Sequence, residues 1–450
     1  MYKYFGTDGF RGTANVELMP EHAFKIGRFL GWYFSKKSPA KILIGKDTRR
    51  SSYMFESALA SGIAASGADA YLLHVTTTAS VSYLACEENF DCGIMISASH
   101  NPFYDNGIKL INSSGEKIDG ELIHEIEAYI DSESDTIPHA KRGGIGRVVD
   151  YADGRAKYLD YIIKLAGRSY DGLRIGLDCA NGSAWKMAKD IFDSLGAETY
   201  VIGNKPNGLN INLDCGSTHI DSLKQLVKDN NLDIGLAFDG DADRCLAVDE
   251  KGNFLSGDHI MYICAKHMKK HGLLKTNTVV TTVMSNLGLY KMFDELEIDY
   301  LKTAVGDKYV WEAMKDGSHI IGGEQSGHII HSDCLCTGDG LISAVKLMHV
   351  VLDEGLPVSK LHEELVIFPQ VLKNVIVTDK DETLNDGFVQ TRVKELEAAL
   401  GNCGRILLRK SGTEPVLRIM AEAETIERCN EVVDSIIDAM NQKAYLIEVR

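Results

Sequence analysis

The chain has 450 residues, 44% of them hydrophobic and 25% charged, and at roughly 150 residues per domain its length predicts about three globular domains. Its 48 basic and 64 acidic residues give a net charge of −16, which disfavours nucleic acid as a partner because an acidic protein repels phosphate backbones. No apolar stretch is long enough for a membrane, the first residues lack a leader pattern, and 10 scattered cysteines fit no disulfide framework, so we expect a cytoplasmic protein with reduced thiols and no membrane partner.

A pattern of strand, polar turn, amphipathic helix, glycine and strand recurs along the chain. The first copy covers residues 41–73, the second covers 173–202 and a weaker third covers 277–303. The ends of the first two copies, GADAYLL and GAETYVI, match almost position by position. This order is typical of a parallel βαβ unit, so the predicted fold class is α/β, with three related domains that have mixed, mostly parallel sheets.

Turn-rich stretches near residues 145, 252 and 356 predict where these domains end. Beyond them the pattern changes to strand, helix over 384–400, strand, loop and helix over 424–441, which predicts a fourth, smaller α+β domain. The predicted domains span residues 1–150, 151–251, 252–365 and 366–450.

A polar segment, Ser97-Ala98-Ser99-His100-Asn101-Pro102, follows an apolar, strand-like run at 94–96. Open α/β sheets bind ligands at the carboxyl ends of their strands, so this position favours a functional loop. By itself, the composition of the segment is more typical of a turn that satisfies its own backbone than of a nucleophile. The sequence has no G-x-S-x-G elbow, which disfavours a serine hydrolase.

Three aspartates, Asp239, Asp241 and Asp243, alternate directly after a second apolar run at 232–238. In an extended strand they would lie ~6.6 Å apart, so the loop must bend if they bind one cation. Three adjacent carboxylates after a buried strand are best explained by a divalent metal. An EF-hand is excluded because Arg244 occupies its glycine position and a strand precedes the loop. Mg²⁺ would keep coordination places open for phosphate oxygen.

A cluster of hydrogen-bond donors near the end of this otherwise acidic chain predicts a phosphate site. The segment LLRKSGTEPVLRIM contains small residues that let backbone N–H groups approach a phosphate, and arginines that bind it with two hydrogen bonds. Its donor residues are Arg409, Lys410, Ser411, Gly412, Thr413 and Arg418. A second segment, GGEQSGHII at 322–330, combines a carboxylate, an amide, a hydroxyl and an imidazole, a mixture that suits a ligand with many hydroxyl groups.

Together the four segments indicate phosphoryl transfer on a sugar. With the motifs FGTDGFRG, SASHNP, DGDADR, GEQSGH and RKSGTEP, the chain resembles the α-D-phosphohexomutase family over its full length. This resemblance implies four domains around one central cleft, a small phosphosugar as substrate, a sugar 1,6-bisphosphate as activator, and a monomer or homodimer. It also implies a mobile fourth domain with a hinge near residue 366, since the bisphosphate must turn within the cleft.

The resemblance implies a role for each motif. Ser99 would carry phosphate as phosphoserine and would complete a Mg²⁺ site with Asp239, Asp241 and Asp243. Near it, His100, Lys109 and Arg11 would balance charge or move protons, and His328 would be a candidate base. The implied substrate-binding residues are Arg244, Glu324, Gln325, Ser326, Arg409, Ser411, Gly412, Thr413 and Arg418.

Two alternatives remain open. The first is a family member that acts on mannose or glucose phosphates. Such members usually carry Met where this chain has Gln325, so Gln325 favours an amino sugar as the substrate, and the segment 208–219 resembles the family members that act on amino sugars. The chain departs from the family at Lys308, where arginine is frequent, and at Cys336, where threonine is usual, which leaves fine specificity open. A non-catalytic phosphosugar-binding protein is the other alternative, although the presence of Ser99 and all three aspartates argues against it.

Overall fold

The computed structural model of the chain describes residues 2–411 and 416–449, and its strands form four sheets. The chain divides into two compact units. The first contains residues 1–284 and 298–363, and the second contains residues 285–297 and 364–450. Three sheets lie in the first unit and one lies in the second.

The first sheet has seven strands in the order β1-β2-β6-β5-β3-β4-β7. Its central strands β5, β3 and β4 are parallel, whereas β6 runs antiparallel to β5 and to β2. Nearly continuous apolar runs explain why β3 and β5 are buried on both faces, whereas β4 is only partly buried. The strands are β1 (Phe5–Gly6), β2 (Gly9–Thr13), β3 (Lys41–Lys46), β4 (Asp69–Val75), β5 (Cys92–Ile96), β6 (Asp105–Asn112) and β7 (Val148–Asp150), and the helices are α1 (Pro20–Phe34), α2 (Arg50–Ala65), α3 (Thr78–Glu87) and α4 (Gly120–Ile130).

The second sheet has five strands in the order β12-β11-β10-β8-β9. Strands β8, β9 and β10 are parallel, and β11 runs antiparallel to β10. The strands are β8 (Arg174–Asp178), β9 (Glu198–Ile202), β10 (Ile234–Phe238), β11 (Cys245–Asp249) and β12 (Phe254–Leu255), and the helices are α5 (Gly154–Ala166), α6 (Met187–Ser194) and α7 (Asp221–Asn230).

The third sheet has four strands in the order β14-β13-β15-β16. Strand β13 is parallel to β14 and β15, and β16 runs antiparallel to β15. The strands are β13 (Thr278–Thr282), β14 (Asp299–Thr303), β15 (Ile321–Gly323) and β16 (Ile329–His331), and the helices of this part of the chain are α8 (Gly257–Lys270), α9 (Leu287–Glu295), α10 (Asp307–Gly317), α11 (Gly340–Glu354) and α12 (Val358–Leu361). Helix α9 belongs to the second unit.

The second unit contains an antiparallel sheet in the order β18-β19-β17-β20. One helix predicted over 384–400 is two helices, because Asp386 accepts hydrogen bonds from the backbone N–H groups of Phe388 and Val389 and so begins a new helix. The elements are β17 (Gln370–Val377), α13 (Lys380–Asn385), α14 (Gly387–Leu400), β18 (Arg405–Lys410), β19 (Leu417–Glu422), α15 (Ile426–Gln442) and β20 (Leu446–Val449).

The predicted fold class is confirmed. Each of the three repeats forms a parallel βαβ unit, with β3 beside β4, β8 beside β9 and β13 beside β14. Each of these sheets also contains antiparallel strands toward one edge, and the C-terminal sheet with its helices is the expected α+β part. None of the helices within 2–411 and 416–449 combines the length and apolar character needed to span a lipid bilayer.

Candidate active site

Each of the four predicted motifs begins at the end of a strand, with one such strand in each sheet. In the first unit, the motif loops join neighbouring antiparallel strands: β5 to β6, β10 to β11, and β15 to β16. In the second unit, the motif follows β18, whose antiparallel neighbour is β19. Each motif of the first unit therefore lies at the carboxyl end of a strand that is parallel to others in its sheet, where α/β folds bind ligands.

Two polar side chains hold the loop that carries Ser99. The buried guanidinium of Arg49 donates from Nη2 to the carbonyl oxygens of Ser99 at 3.0 Å and Asn101 at 2.8 Å. Nδ2 of Asn212 donates to the same two oxygens at 2.8 and 3.0 Å. Arg49 is itself fixed by an ion pair of 2.7 Å with Asp47. These contacts replace sheet hydrogen bonds where the strand has ended, and they fix the backbone of Ser99.

Ser99 points toward the predicted metal ligands. Its φ of 51° lies in the left-handed region, which a residue other than glycine seldom adopts. Its backbone N–H donates to Oγ of Ser97 at 2.9 Å, and its buried hydroxyl donates to Oδ2 of Asp239 at 2.5 Å. Ser97 therefore supports the turn, and Ser99 presents the hydroxyl.

The carboxylates of Asp239, Asp241 and Asp243 meet, as predicted for a metal site. One oxygen from each lies within 4.8 Å of the other two, and all three side chains are buried. Ala242, with a φ of 56°, bends the loop so that alternate residues converge. Oδ1 of Asp241 and Oδ1 of Asp243 have no hydrogen-bond partner among the described residues. Buried oxygens without partners are what a cation would bind, so the donor set fits Mg²⁺.

The electrostatics of the triad favour the same ion. Burial and the charges of its two neighbours raise the pKa of Asp239 well above its ordinary value, and burial and Asp243 raise the pKa of Asp241. Burial acts in the same direction on Asp243, but Lys109 and His328 lower the pKa of Asp243 well below its ordinary value. A divalent cation would relieve the repulsion between the three groups.

Lys109 and Arg11 both form ion pairs with Asp8, and Lys109 also forms ion pairs with the triad. Nζ of Lys109 lies 2.7 Å from Asp241, 3.0 Å from Asp243 and 3.1 Å from Asp8. Burial alone would lower the pKa of Lys109, but Asp241 and Asp243 raise it well above its ordinary value. Arg11 forms an ion pair with the same Asp8. The structure therefore brings both predicted cations to the predicted metal ligands.

The two predicted histidines differ in protonation. Nη1 of Arg244 lies 3.1 Å from Nδ1 of His100, and burial, Arg244 and Arg11 lower the pKa of His100 to about 4. Nδ1 of His328 lies 3.7 Å from Oδ1 of Asp243. Burial alone would lower the pKa of His328, but the carboxylate of Asp243, together with the charges of Asp307 and Glu324, raises it to about 9. At neutral pH, His100 is uncharged and His328 carries a proton.

The predicted sugar-binding residues form a tight turn between β15 and β16. The N–H of Gly327 donates to the carbonyl of Glu324 at 3.0 Å, and Oε1 of Glu324 accepts from Gly306 at 3.0 Å. Oγ of Ser326 lies 3.5 Å from Oε2 of Glu324. The half-buried side chain of Gln325 forms no hydrogen bond with the described part of the protein, so its amide is available to a ligand.

The predicted phosphate-binding residues lie in the second unit. Arg409 and Arg418 are register partners on β18 and β19, and Ser411 is buried after β18. Burial and Arg418 lower the pKa of Arg409, and its Nε has no hydrogen-bond partner among the described residues. Two adjacent guanidinium groups are destabilising unless an anion binds. Gly412 and Thr413, also predicted here, lie outside the described residues.

A cavity of about 390 Å³ adjoins the triad. Lys109 and Asp243 contribute to its wall, and so do Lys308 and Cys336, the two positions at which the chain departs from the family pattern. Lys308 and Cys336 therefore lie on a wall that includes Asp243, a predicted metal ligand.

Sequence reasoning missed several residues of this site, namely Asp8, Arg49, Lys117 and Asn212. Lys117 lies 2.8 Å from Asp8 and 2.7 Å from Asp307. Two of the four had a signal: Asp8 belongs to the motif FGTDGFRG, and Asn212 belongs to the segment 208–219. The contacts of Asn212 give that segment a role in holding the Ser99 loop.

Four successive parts of the chain match the four domains of one known family. The descriptions that match are phosphoglucomutase/phosphomannomutase alpha/beta/alpha domain I at residues 2–136, domain II at 151–252, domain III at 256–367, and the C-terminal domain at 372–439.

Relatives match over nearly the whole chain. The phosphoglucosamine mutase of Lachnospira eligens is 59% identical, covering 99% of this chain and 100% of its own, and that of Bacillus subtilis is 49% identical, covering 98% and 99%. A solved phosphoglucomutase/phosphomannomutase family protein from Burkholderia thailandensis shares the fold, with a TM-score of 0.82 at 22% identity over 99% of this chain and 100% of that one. The chain therefore belongs to the phosphoglucomutase/phosphomannomutase family, the α-D-phosphohexomutases that its motifs predict.

Proposed function

We propose that this chain is a phosphoglucosamine mutase, which interconverts glucosamine 6-phosphate and glucosamine 1-phosphate and so supplies UDP-N-acetylglucosamine synthesis. One observation carries the proposal: the hydroxyl of Ser99 lies 2.5 Å from Asp239 within a buried carboxylate triad. The relatives from Lachnospira eligens and Bacillus subtilis, both phosphoglucosamine mutases, support the choice of sugar.

In this proposal, Ser99 carries the phosphoryl group between the two positions of the sugar. Phosphoserine gives its phosphoryl group to O1 of glucosamine 6-phosphate, which leaves free serine and the 1,6-bisphosphate. The bisphosphate turns, its 6-phosphoryl group returns to Oγ of Ser99, and glucosamine 1-phosphate is released. Each half-reaction breaks one P–O bond and forms another. A sugar 1,6-bisphosphate would serve as activator by phosphorylating a free Ser99.

The residues of the triad would hold Mg²⁺, with an oxygen of phosphorylated Ser99 as a further ligand. The bound cation would neutralise the oxygens of the transferring phosphoryl group. Lys109, at 2.7 Å from Asp241 and 3.0 Å from Asp243, supplies a fixed positive charge at the same place. Because these ion pairs hold the ammonium group in place, its charge would need little rearrangement during the reaction.

The two histidines would divide the proton transfers. His100 lies 3.3 Å from Oγ of Ser99 and is uncharged at neutral pH, so it can accept a proton. His328, expected from the family to be a base, is protonated at neutral pH, so it would donate to O6 of the sugar when that oxygen leaves in the second half-reaction, while His100 takes the proton of Ser99; the reverse transfers would accompany the first half-reaction of the next cycle. Arg11 and Arg244 would bind phosphoryl oxygens beside Ser99.

The remaining motifs would position the sugar. Glu324, Gln325 and Ser326 present a carboxylate, an amide and a hydroxyl, which suit sugar hydroxyls and a 2-ammonium group. Arg409, Ser411, Gly412, Thr413 and Arg418 would bind the phosphate that is not reacting. We further propose a cytoplasmic monomer or homodimer with the four domains predicted above, a hinge near residue 366, and no nucleic-acid or membrane partner.

The proposal is tested by comparing kcat/KM for glucosamine, glucose and mannose 6-phosphates, each with its own 1,6-bisphosphate. Glucosamine 6-phosphate should give the highest value, since a site built for a polar substituent penalises an analogue that lacks it by roughly tenfold or more. A higher value for mannose or glucose phosphate would establish one of the alternative mutase activities.

Two further measurements complete the test. The variant Gln325→Met should narrow the preference for the amino sugar, and an unchanged preference would reject only the role of Gln325. Intact mass of the purified protein before and after treatment with bisphosphate shows whether it carries one phosphoryl group. A protein that binds these sugars but never becomes phosphorylated would be the non-catalytic alternative.

A further inference from the structure

The first unit contains a second, larger cavity of about 760 Å³ that includes no residue of the proposed catalytic site. It lies where the ends of β3 and β4 meet loops of the second sheet, and the backbone N–H of Arg50 donates to the carbonyl of Gly208 across it at 3.0 Å. Its volume falls within the range typical of small-molecule sites. The wall consists of Thr48, Arg50, Tyr53, His74, Val75, Arg155, Trp185 and residues 204–208.

The wall is positively charged and has no acidic residue, although the chain has a net charge of −16. Arg50, Arg155 and Lys205 form no ion pair with any carboxylate in the part of the chain that the structure describes. Arg155 is held in place by the carbonyl oxygens of Ala152 at 3.1 Å and Val75 at 3.2 Å. Three cations without counter-ions around one cavity indicate an anionic ligand.

The carboxylates behind the wall do not change this charge balance. Glu56 forms an ion pair with Lys46, whose Nζ lies 3.4 Å from Nδ1 of His74. Asp150 lies 3.3 Å from Nε2 of the same histidine. Lys46 therefore balances Glu56. Asp150, which also interacts electrostatically with Arg155, is one carboxylate near three cations, so the wall keeps a net positive charge.

Two aromatic rings add a second kind of contact. The side chains of Tyr53 and Trp185 are 53% and 36% exposed, and both line the cavity. Exposed rings beside arginines bind planar groups by stacking, whereas a simple inorganic anion would gain nothing from them. We propose that this cavity is a binding site for a nucleoside phosphate, with the phosphates on Arg50, Arg155 and Lys205 and the base against Trp185 or Tyr53.

The cavity is coupled to the Ser99 loop through its own wall. Arg50 directly follows Arg49, which donates to the carbonyl oxygens of Ser99 and Asn101. The segment that carries Lys205 leads to Asn212, which donates to the same two oxygens. A ligand that orders these segments would act on the positioning of Ser99 without entering the catalytic site.

Trp185 allows a direct binding test. In a Trp311→Phe background, which removes the tryptophan of the other cavity, ADP and UDP should each quench fluorescence saturably. Inorganic phosphate and adenosine, which carry only half of the recognised groups, should bind at least roughly tenfold more weakly than ADP. Replacing Trp185 with Phe should remove the signal.

Variants that remove positive charges from the wall test whether those charges bind the phosphates of the nucleotide. Arg50→Ala/Lys205→Ala should weaken ADP binding by roughly tenfold or more, whereas the matched control Lys141→Ala/Lys275→Ala, which removes two exposed cations elsewhere, should not. If the double variant does not fold, Lys205→Glu on its exposed loop makes the same test. No saturable quenching up to about 5 mM nucleotide, or equal affinity in the charge variants and the control, would overturn the proposal.

Discussion

Ser99 and Ala242 adopt left-handed backbone conformations on two loops that meet, with φ values of 51° and 56°. For residues other than glycine such conformations cost about 1–3 kcal/mol each and persist only where surrounding contacts enforce them. Arg49 and Asn212 supply those contacts for Ser99. At Ala242 the bend brings alternate carboxylates together, which an extended strand would separate. Local strain thus places the hydroxyl of Ser99, the proposed phosphoryl carrier, beside the three aspartates proposed to bind the metal.

Replacing Ser99 with Ala should leave the fold intact and lower kcat by roughly a thousandfold or more, because the substitution removes the hydroxyl that is proposed to carry the phosphoryl group. Steady-state assays and intact mass measure the two effects, and the mass should show no phosphoryl group. The matched control is Ser97→Ala, which removes only the hydrogen bond to the N–H of Ser99 and should lower kcat much less. An inactive Ser97→Ala beside an active Ser99→Ala would contradict the assignment of the carrier.

Replacing Asp241 with Asn should weaken the response to Mg²⁺ by roughly tenfold or more, since one negative ligand is lost. The amide keeps an oxygen for the hydroxyl of Thr78, which lies 2.6 Å from the carboxylate, so the loop should still fold. Activity and calorimetric binding are measured across a magnesium titration. The control is Asp178→Asn, a buried carboxyl outside the triad that accepts backbone N–H groups. Equal Mg²⁺ affinity in Asp241→Asn and the wild-type protein would refute the metal site.

The sequence predicts which side chains could carry the chemistry better than it predicts which residues hold those side chains in position. The type and spacing of the three aspartates at a strand's end predict a metal site, whereas the role of Ser99 is predicted only by the family resemblance, because its segment alone is more typical of a turn. The contacts of Arg49 and Asn212 with Ser99 could not be predicted, because they join segments about 50 and 110 residues apart along the chain. The protonation of His328 was likewise unpredictable, since it depends on its distance from Asp243 in the folded protein.

At the scale of elements, the repeat predicts the parallel βαβ units but not the antiparallel neighbours that follow them. Strands β6, β11 and β16 each return beside the strand that carries a motif, so each motif becomes the connection of an antiparallel pair. Strand direction depends on pairing in the folded sheet, which periodicity does not encode. The split between α13 and α14 was missed for a local reason, since Asp386 begins a new helix within a continuous helical pattern.

Asp339, the N-terminal cap of helix α11, should make the stability of the protein depend on pH. Burial raises the pKa of Asp339 to about 6 from an ordinary value of 3.8, while its carboxylate accepts from Tyr158 at 2.6 Å. Because the folded state holds this proton more tightly than the unfolded state, the contribution of Asp339 to stability is greatest below pH 4, falls as pH rises to about 6, and is constant above. The loss amounts to roughly 3 kcal/mol at most.

The variant Asp339→Asn keeps an oxygen for the backbone N–H groups of Leu341 and Ile342 and has no proton to lose. Its Tm relative to the wild-type protein should therefore rise between pH 4 and 6 and stay constant from pH 6 to 8. Thermal unfolding of both proteins across this range measures the difference. A difference that does not change with pH would show that the carboxyl of Asp339 is not perturbed.

At the scale of the whole molecule, residues 285–297 belong with the C-terminal unit, although they lie between two strands of the third sheet. The buried side chain of Asn286 explains this assignment. Its Nδ2 donates to the carbonyl of Phe368 at 3.0 Å, and its Oδ1 accepts from the N–H of Phe368 at 3.0 Å. The N–H of Leu287 donates to Glu422 at 2.9 Å. Composition could not predict this, because the segment reads as an ordinary helix of its βαβ repeat.

Asn286→Ala should therefore lower the unfolding transition of the second unit and leave that of the first unchanged. Each unit has its own buried core, so we expect calorimetry to resolve two transitions. Asn286 also caps α9 by accepting from Gly288 at 3.0 Å, so its loss should cost about 1–2 kcal/mol, or several degrees for a unit of this size. The matched control is Asp119→Ala, which removes the cap of α4 and should lower only the transition of the first unit. If Asn286→Ala instead lowers the transition that responds to Asp119→Ala, residues 285–297 unfold with the first unit.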